Sequence, residues 1–448
     1  MRFIVRRLVP CLVLVAIFGS ACADSSSKSA TQTSTVAATA KVSNQWALSY
    51  TGGTAGKADP SKSPIVIGYV NQEGGVPAFP ESTAGTKAAV DYVNAELGGI
   101  GGHPLKLEAC QVQAEEDGQR CGTQLANDAT VQAVLTGVLI SGGESLFKVV
   151  VPKLPVVIGN PVSNPDFLTK GAVAFTPGSP GVIQALGVFA GQNLNTAAHP
   201  VKKVAIIYGD NSAAKLAVTL LFNPVLQKLG ITDIKGVPVP ETATAADVQS
   251  ALQASGAAQA DVVAALTTLP LCIATYDAMK ALGIHTPVVT TSLCQGTPMV
   301  QHLKDVGDKG DVPNGWYFAG YGYNPYLPDE ASGTQTFVAK IKQYGGANVE
   351  YTGFAPSMFG NVLTLAKFFN AIGPDKINAE TVKAQIDAFT GPMMMVSGPM
   401  TCGKVSALFP TLCGAEVGID QYVDGKWVSV ADALNGKPLN PSKILAGS

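Results

Sequence analysis

Asn94-Ala95-Glu96-Leu97-Gly98-Gly99-Ile100-Gly101-Gly102-His103-Pro104-Leu105 decides how this chain folds. Upstream of it, Ala88, Ala89, Tyr92 and Val93 recur at helical spacing and predict a helix from about Glu81 to Leu97. Downstream, Leu105 to Ala109 reads as a strand. Glycines in such numbers suit a phosphate-cradling dinucleotide loop only when a strand precedes them and a helix follows. Here the order is reversed, so the cluster is a tight turn from helix into strand.

Working outward, the same unit repeats. Pro64-Ile65-Val66-Ile67-Gly68-Tyr69 is a buried strand, and a Gly/Pro-rich loop from Gly74 to Pro80 leads into the helix. A helix at Gly118 to Asn127, strands at Val131 to Thr136 and Lys153 to Ile158, and a helix at Gly181 to Asn193 complete one series. A second series starts at Lys203. Strands at Val204 to Tyr208, Ile234 to Val239, Asp261 to Leu266 and Pro287 to Thr291 alternate with helices at Ala213 to Leu229, Ala245 to Ser255 and Leu271 to Leu282. Alternating strands and amphipathic helices predict parallel sheets covered on both faces, hence an α/β chain of two doubly wound lobes. Helical material resumes from about Trp316, and short strands with Gly/Pro turns are expected from Val396 to Val430. In such sheets the ligand crevice lies at the carboxyl ends of the strands.

Composition narrows the function. The chain has 448 residues, 46% of them hydrophobic and only 14% charged, which is ample for two cores. Met1 to Arg7 carries three arginines and no acid, Leu8 to Phe18 is almost wholly apolar, and small residues lead into Cys22. That is an export signal, too short to span a bilayer. It resembles a bacterial lipoprotein signal, in which Cys22 becomes the lipidated N-terminus, although Gly19 stands where that pattern usually has Leu. Without the signal, 27 basic residues face 32 acidic ones. No basic cluster remains, so nucleic acid is not an expected partner. Residues 23–63, rich in Ser, Thr, Ala, Lys and Gly around Trp46 and Tyr50, are expected to be a flexible tether.

Six cysteines remain beyond Cys22: Cys110, Cys121, Cys272, Cys294, Cys402 and Cys413. An even count in an exported chain favours disulfides. Several pairings are possible, the simplest being nearest-neighbour: Cys110–Cys121, Cys272–Cys294 and Cys402–Cys413. Each would contribute about 3 kcal/mol. The spacing required of a zinc site is missing, so no metal is expected.

The order of these elements, with Val134-Leu135-Thr136-Gly137 leading to Ser141 and Pro155-Val156-Val157-Ile158 leading to Asn164-Pro165, resembles the type I periplasmic solute-binding proteins of the leucine/isoleucine/valine-binding kind. The opening of the second series at Lys203 and Ala281-Leu282-Gly283 before the Pro287 strand agree with it. The resemblance runs from about Pro64 to about Val430. It implies a venus-flytrap receptor whose lobes are joined by three crossovers: an export signal at 1–21, a lipid-anchored tether at 22–63, lobe 1 at 64–198 plus 318–395, lobe 2 at 199–317 plus 396–434, and a tail at 435–448. It implies a monomer held by its lipid on the outer face of a bacterial cytoplasmic membrane, at the cell surface or in the periplasm, which delivers a small ligand to an ABC permease and needs no cofactor.

The resemblance also assigns positions. Ser141, Pro161 and Ser163 match sites where a hydroxyl and backbone groups hold the carboxylate and ammonium of an amino acid. The acid that pairs with the ammonium would fall near Ser292, where there is none, and aromatic residues of the second lobe would fall near Ala213 and Thr268. An unpaired buried ammonium is costly, so a carboxylate, an amide, a polyol or an aromatic acid competes with an amino acid as ligand. In the first loop, Asn71, Gln72, Glu73 and Phe79 are further candidates, with Glu73 either a counter-charge or a solvated acid. Tyr321, Tyr323 and Tyr326 are expected either to cap the ligand or simply to pack.

Catalysis finds little support. His103, His199, His285 and His302 are far apart in sequence, and Ser141 lacks the glycine two residues before it that a nucleophile elbow requires, Leu139 standing there. Met393-Met394-Met395 reads as core filling. The expected function is therefore a non-enzymatic receptor for an importer. The alternatives are a sensor of the same fold signalling to a membrane partner and, with least support, a secreted hydrolase.

Overall fold

The computed structural model describes residues 43–448 apart from 311, 328, 330–332, 397, 431–437 and 447–448. The export signal at 1–21 and Cys22 lie outside the described residues.

The opening glycine turn forms as its sequence dictates. The helix Pro80–Glu96 ends in a loop where Gly98, Gly99, Gly101 and Gly102 all take positive φ. A Cβ on Gly99 would lie 2.2 Å from the His103 carbonyl oxygen, so no other residue fits there. Asn94 then clamps the next strand. Its Oδ1 accepts the Leu105 N–H at 2.7 Å, and its Nδ2 donates to the Leu105 carbonyl at 2.8 Å.

Lobe 1 is a five-stranded, wholly parallel sheet in the order β2-β1-β3-β4-β5. Its strands are β1 (Ile65–Gln72), β2 (Leu105–Val112), β3 (Val131–Thr136), β4 (Val156–Ile158) and β5 (Ala172–Val173). Every residue of the central β1 is buried. Ile65, Ile67 and Tyr69 face the helices Pro80–Glu96 and Ala355–Ile372, while Val66 and Val70 face the layer of Leu125, Leu146 and Phe147. Burial on both faces is why β1 reads as a continuous apolar run rather than an alternating one.

Lobe 2 carries seven strands in the order β12-β11-β10-β9-β8-β6-β7. They are β6 (Lys203–Gly209), β7 (Asp233–Val239), β8 (Val262–Leu266), β9 (Val288–Thr291), β10 (Tyr317–Ala319), β11 (Ile419–Val423) and β12 (Lys426–Ser429). β6 to β10 pair in parallel, and the late hairpin β11–β12 adds an antiparallel edge, with Ala319 opposite Ile419. Val204 and Ile206 point to one helix layer, Ala205 and Ile207 to the other.

The lobe limits differ from those expected. The helix Gly178–Val188 packs on the second sheet, with Val182, Ile183 and Leu186 beside Val204 and Ile206, so the first crossing lies near Thr176 and not at 198. β10 completes the second sheet before the chain returns at Gly320. Val396 and residues 398–413 stay on lobe 1, where Met400 and Cys413 join its core and Leu412 bridges to Ala174, so the third crossing falls after Cys413 and not at 396. The short strands expected from Val396 reduce to the hairpin β11–β12. Periodicity assigns a helix to a sheet face, but it does not say which sheet.

Two segments expected to lie outside the lobes, the flexible tether and the C-terminal tail, have folded parts. Residues 43–63 pack on lobe 1: Trp46, Ala47 and Tyr50 share a face of the helix Gln45–Thr51, Ala47 is fully buried, and the Trp46 and Tyr50 rings stack at 5.0 Å. The Tyr50 hydroxyl lies 2.8 Å from Thr364 Oγ1. Two aromatics and an alanine suffice because a finished groove receives them. In the expected tail, Leu439 is buried and exchanges both backbone hydrogen bonds with Val417, and the helix Pro441–Ala446 packs on the helix Gly178–Val188.

All three nearest-neighbour disulfides are present: Cys110–Cys121, Cys272–Cys294 and Cys402–Cys413. Met393, Met394 and Met395 are buried core residues. Among the described residues no helix is long and apolar enough to cross a membrane, and no group of three or more His, Cys, Asp or Glu is placed to hold a metal ion.

Candidate ligand-binding cleft

The carboxyl ends of β1, β3 and β4 in lobe 1 face those of β6, β8 and β9 in lobe 2, and the loops beyond them enclose two adjoining cavities. The inner one, of about 80 Å³, is lined mainly by apolar groups. Lobe 1 supplies Phe79, Val138, Val162 and Phe354, and lobe 2 supplies Ile183, Ala213, Leu266 and Leu293. Tyr321, just past the crossing that follows β10, closes one side, its ring 4.8 Å from that of Phe354. Its hydroxyl lies 3.1 Å from Ser179 Oγ, and burial pushes its pKa up to about 12, so it is a neutral group.

The outer cavity, of about 440 Å³, shares Phe79, Thr268 and Leu293 with the inner one. Three acidic side chains line it: Glu81 at the start of the helix Pro80–Glu96, Glu350 before the helix Ala355–Ile372, and Glu241 from lobe 2. Glu241 is held by Asn211 Nδ2 at 2.6 Å and by Thr268 Oγ1 at 2.5 Å. Glu350 accepts from the Thr352 N–H and hydroxyl at 2.9 and 2.7 Å and, across the cleft, from the Thr297 N–H at 2.6 Å. Glu81 is held up at a pKa of about 8, chiefly by burial and further by the charges of Glu350 and Glu73.

The expected site residues divide. Phe79, Thr268 and Tyr321 line the cavities. Ser292 lines a smaller recess beside Tyr321 and Asp420, and its buried hydroxyl has no hydrogen-bond partner among the described residues. The remaining five make hydrogen bonds within the protein and are not among the residues lining the two cavities. Asn71 is buried; its Oδ1 accepts the Val138 N–H at 2.9 Å and its Nδ2 donates to the Phe79 carbonyl at 2.8 Å. Glu73 is bonded by Asn71, Thr83 and Gln111, all on lobe 1, and does not line either cavity. The Ser141 N–H, expected to meet a ligand carboxylate, donates to Gln72 Oε1 at 3.2 Å, as does the Ile140 N–H at 2.9 Å. The Pro161 carbonyl accepts the Ser179 N–H at 3.0 Å. Ser163 caps a short helix, with its N–H and hydroxyl both given to Asp166 Oδ2. Of the groups that the resemblance assigns to a ligand, the Ser141 N–H, the Pro161 carbonyl and the Ser163 N–H and hydroxyl are thus engaged within the chain.

Of the other tyrosines, Tyr323 is exposed, and Tyr326 stacks on Trp427 at 5.2 Å and donates to the Gln295 carbonyl. His302 has an acidic neighbour that its sequence surroundings hide: its Nε2 lies 2.7 Å from Asp277 Oδ1, 25 residues earlier. Sequence reasoning missed Glu81, Glu241, Glu350, Thr291 and Phe354. Glu81 and Phe354 were open to suspicion, lying next to a strand-end loop or a helix start, but nothing local separates them from surface acids or core aromatics.

The sequence profile of the periplasmic binding protein family matches residues 64–404. This chain belongs to that family, and its fold is that of the type I receptors of the leucine/isoleucine/valine-binding kind. No curated protein sequence matches the chain. Among solved structures, a leucine-binding protein of Thermotoga maritima is 13% identical with a TM-score of 0.63, over 85% of this chain and all of that one. An ABC-transporter solute-binding protein of R. palustris, in complex with 4-hydroxybenzoate, is 16% identical with a TM-score of 0.63, over 84% of this chain and 95% of that one. A fatty acid ABC transporter substrate-binding protein of Thermomonospora curvata is 14% identical with a TM-score of 0.64, over 88% and 96%. The family is one of extracytoplasmic small-molecule receptors.

Proposed function

We propose that this protein is the substrate receptor of an ABC importer, anchored outside the cytoplasmic membrane through a lipid on Cys22, and that it binds an organic molecule with a substantial apolar part without transforming it. The observation that carries the reading is the pair of cavities walled by strand-end loops of both lobes, with Phe79, Tyr321 and Phe354 facing Leu266 and Leu293. A ligand bound there touches both lobes at once, so it stabilises the closed arrangement over the open one by the difference in contacts. The apolar lining argues for a ligand less polar than a free amino acid. Occupation of the Ser141 N–H, the Pro161 carbonyl and the Ser163 N–H and hydroxyl by Gln72, Ser179 and Asp166 argues against a carboxylate held in the manner of the leucine receptors. The relatives' own ligands, among them 4-hydroxybenzoate, show that this fold accommodates ring-bearing guests.

The test is ligand-dependent closure. X-ray scattering of the full chain with and without a ligand found by thermal-shift screening should show a fall in radius of gyration at saturation. A Leu293→Trp substitution, which fills the inner cavity, should abolish the shift. A ligand that binds with the cavity blocked, or one that the protein converts to product, would remove this reading. Mass spectrometry of the N-terminal peptide, showing a lipid on Cys22, tests the anchor.

A further inference from the structure

Resting on that receptor reading, we propose that the ligand carries a protonated amine, seated among Glu81, Glu241 and Glu350 in the outer cavity while its apolar body occupies the inner one. Three acidic side chains from both lobes line one cavity, Glu81 being held largely protonated at neutral pH until a cation joins it, and no lysine, arginine or histidine is among the residues lining either chamber. Every hydrogen-bond donor described for Glu241 and Glu350 is neutral: Asn211, Thr268, Thr352 and the Thr297 N–H. None of the three acids forms an ion pair among the described residues. Acids gathered in a partly desolvated cleft repel one another unless a cation joins them.

A second feature points to a guest independently of the charge. Thr291, at the carboxyl end of β9, lines the inner cavity and is only 4% exposed, yet its hydroxyl has no hydrogen-bond partner among the described residues. Buried hydroxyls are normally satisfied, and a ligand heteroatom in the inner chamber would satisfy this one. The three carboxylates are not grouped closely enough to coordinate a metal ion. A cation with a few donors spread over a larger radius suits them better, and an alkylammonium is such a group. The acid missing at Ser292 is thus replaced by acids from other strand ends, without restoring the anion site that an amino acid also needs.

The experiment is calorimetric titration of the full chain with three probes of one skeleton: phenethylamine, phenethyl alcohol and hydrocinnamate. Phenethylamine should bind at least about tenfold more tightly than the alcohol, and hydrocinnamate most weakly. Glu81→Gln and Glu241→Gln should each reduce amine affinity about tenfold while leaving the alcohol within about twofold, a difference that a folding defect would not produce. Glu350 is left intact because it also bridges the lobes. Amine affinity no better than that of the alcohol, preference for hydrocinnamate, or no amine binding overturns the cation proposal. The receptor reading fails separately, if no solute of any charge contracts the protein in the scattering test.

Discussion

The carboxylate of Glu350 accepts a 2.6 Å hydrogen bond from the backbone N–H of Thr297, the first residue of the helix Thr297–Asp305. Glu350 belongs to lobe 1 and Thr297 to lobe 2, so this bond crosses the cleft. It places a negative charge against the positive end of a helix, where unpaired N–H groups and the helix dipole both favour it. Three chain crossings let the lobes rotate, and contacts of this kind set how far they stay together. Glu350→Ala should shift the closed–open balance toward open by about 1–2 kcal/mol, roughly a tenfold change. A larger radius of gyration by X-ray scattering at sub-saturating ligand is the expected outcome, with Glu350→Gln between the variant and the native chain. An unchanged profile in Glu350→Ala would show that the bond does not hold the lobes.

A second prediction concerns the N-terminal helix Gln45–Thr51. Trp46→Ala removes a ring stacked on Tyr50, and Tyr50→Phe removes the hydroxyl bound to Thr364, whose own hydroxyl also donates to the Gly360 carbonyl. The first should cost about 2–3 kcal/mol and the second about 1 kcal/mol. Thermal unfolding monitored by circular dichroism should show both, in that order. Equal melting temperatures for all three chains would mean that the segment is an ornament.

Acid stability should depend on Glu96. Burial alone would raise this carboxyl, but hydrogen bonds from Lys340, Tyr344 and Asn44, with the Lys340 charge, hold it at about 2. Its folded pKa therefore lies below the unfolded one, near 4.5. The stabilisation is fully present above about pH 4.5 and is lost as pH falls toward 2. Denaturant melts of the native chain and Glu96→Gln should differ most at neutral pH and converge as the pH approaches 2. A gap that widens on acidification would contradict the assignment. Lys340→Met, which strips the partly buried acid of its cation, should destabilise by about 3 kcal/mol at neutral pH.

The Cys272–Cys294 bridge ties the helix Leu269–Leu282 to the turn Ser292–Gln295, immediately after Thr291 and beside Leu293. Its 22-residue separation gives it about 3 kcal/mol of stabilisation in the chain-entropy account. The paired substitution Cys272→Ser with Cys294→Ser should lower the melting temperature and weaken ligand affinity, because it loosens a cavity wall. The corresponding change at Cys110 and Cys121, on the far layer of lobe 1, should lower stability alone. Equal effects on binding from the two pairs would show that the first bridge has no special role at the cleft.

Much of the architecture is local, and for that reason legible. The glycines at 98–102 announce a turn because only glycine takes their backbone angles without strain, and the apolar run at Ile65–Tyr69 announces a strand covered on both sides. The cysteines pair as nearest neighbours in sequence, the simplest of the pairings that the sequence left open. What the residues could not disclose is which groups meet across the gap. Glu81, at a helix start, and Glu241 and Glu350, in two loops, are far apart in sequence, and each resembles an ordinary surface acid until the lobes bring them to one cavity. Likewise Ser141 looks like an anion site until the Gln72 side chain is seen to take its N–H, and Trp46 looks like part of a tether until the groove beside Thr364 exists to receive its helix. Backbone preference and burial periodicity act over a few residues and are written in the order of the chain. Convergence of side chains depends on how two finished sheets pack, and that is decided only in three dimensions.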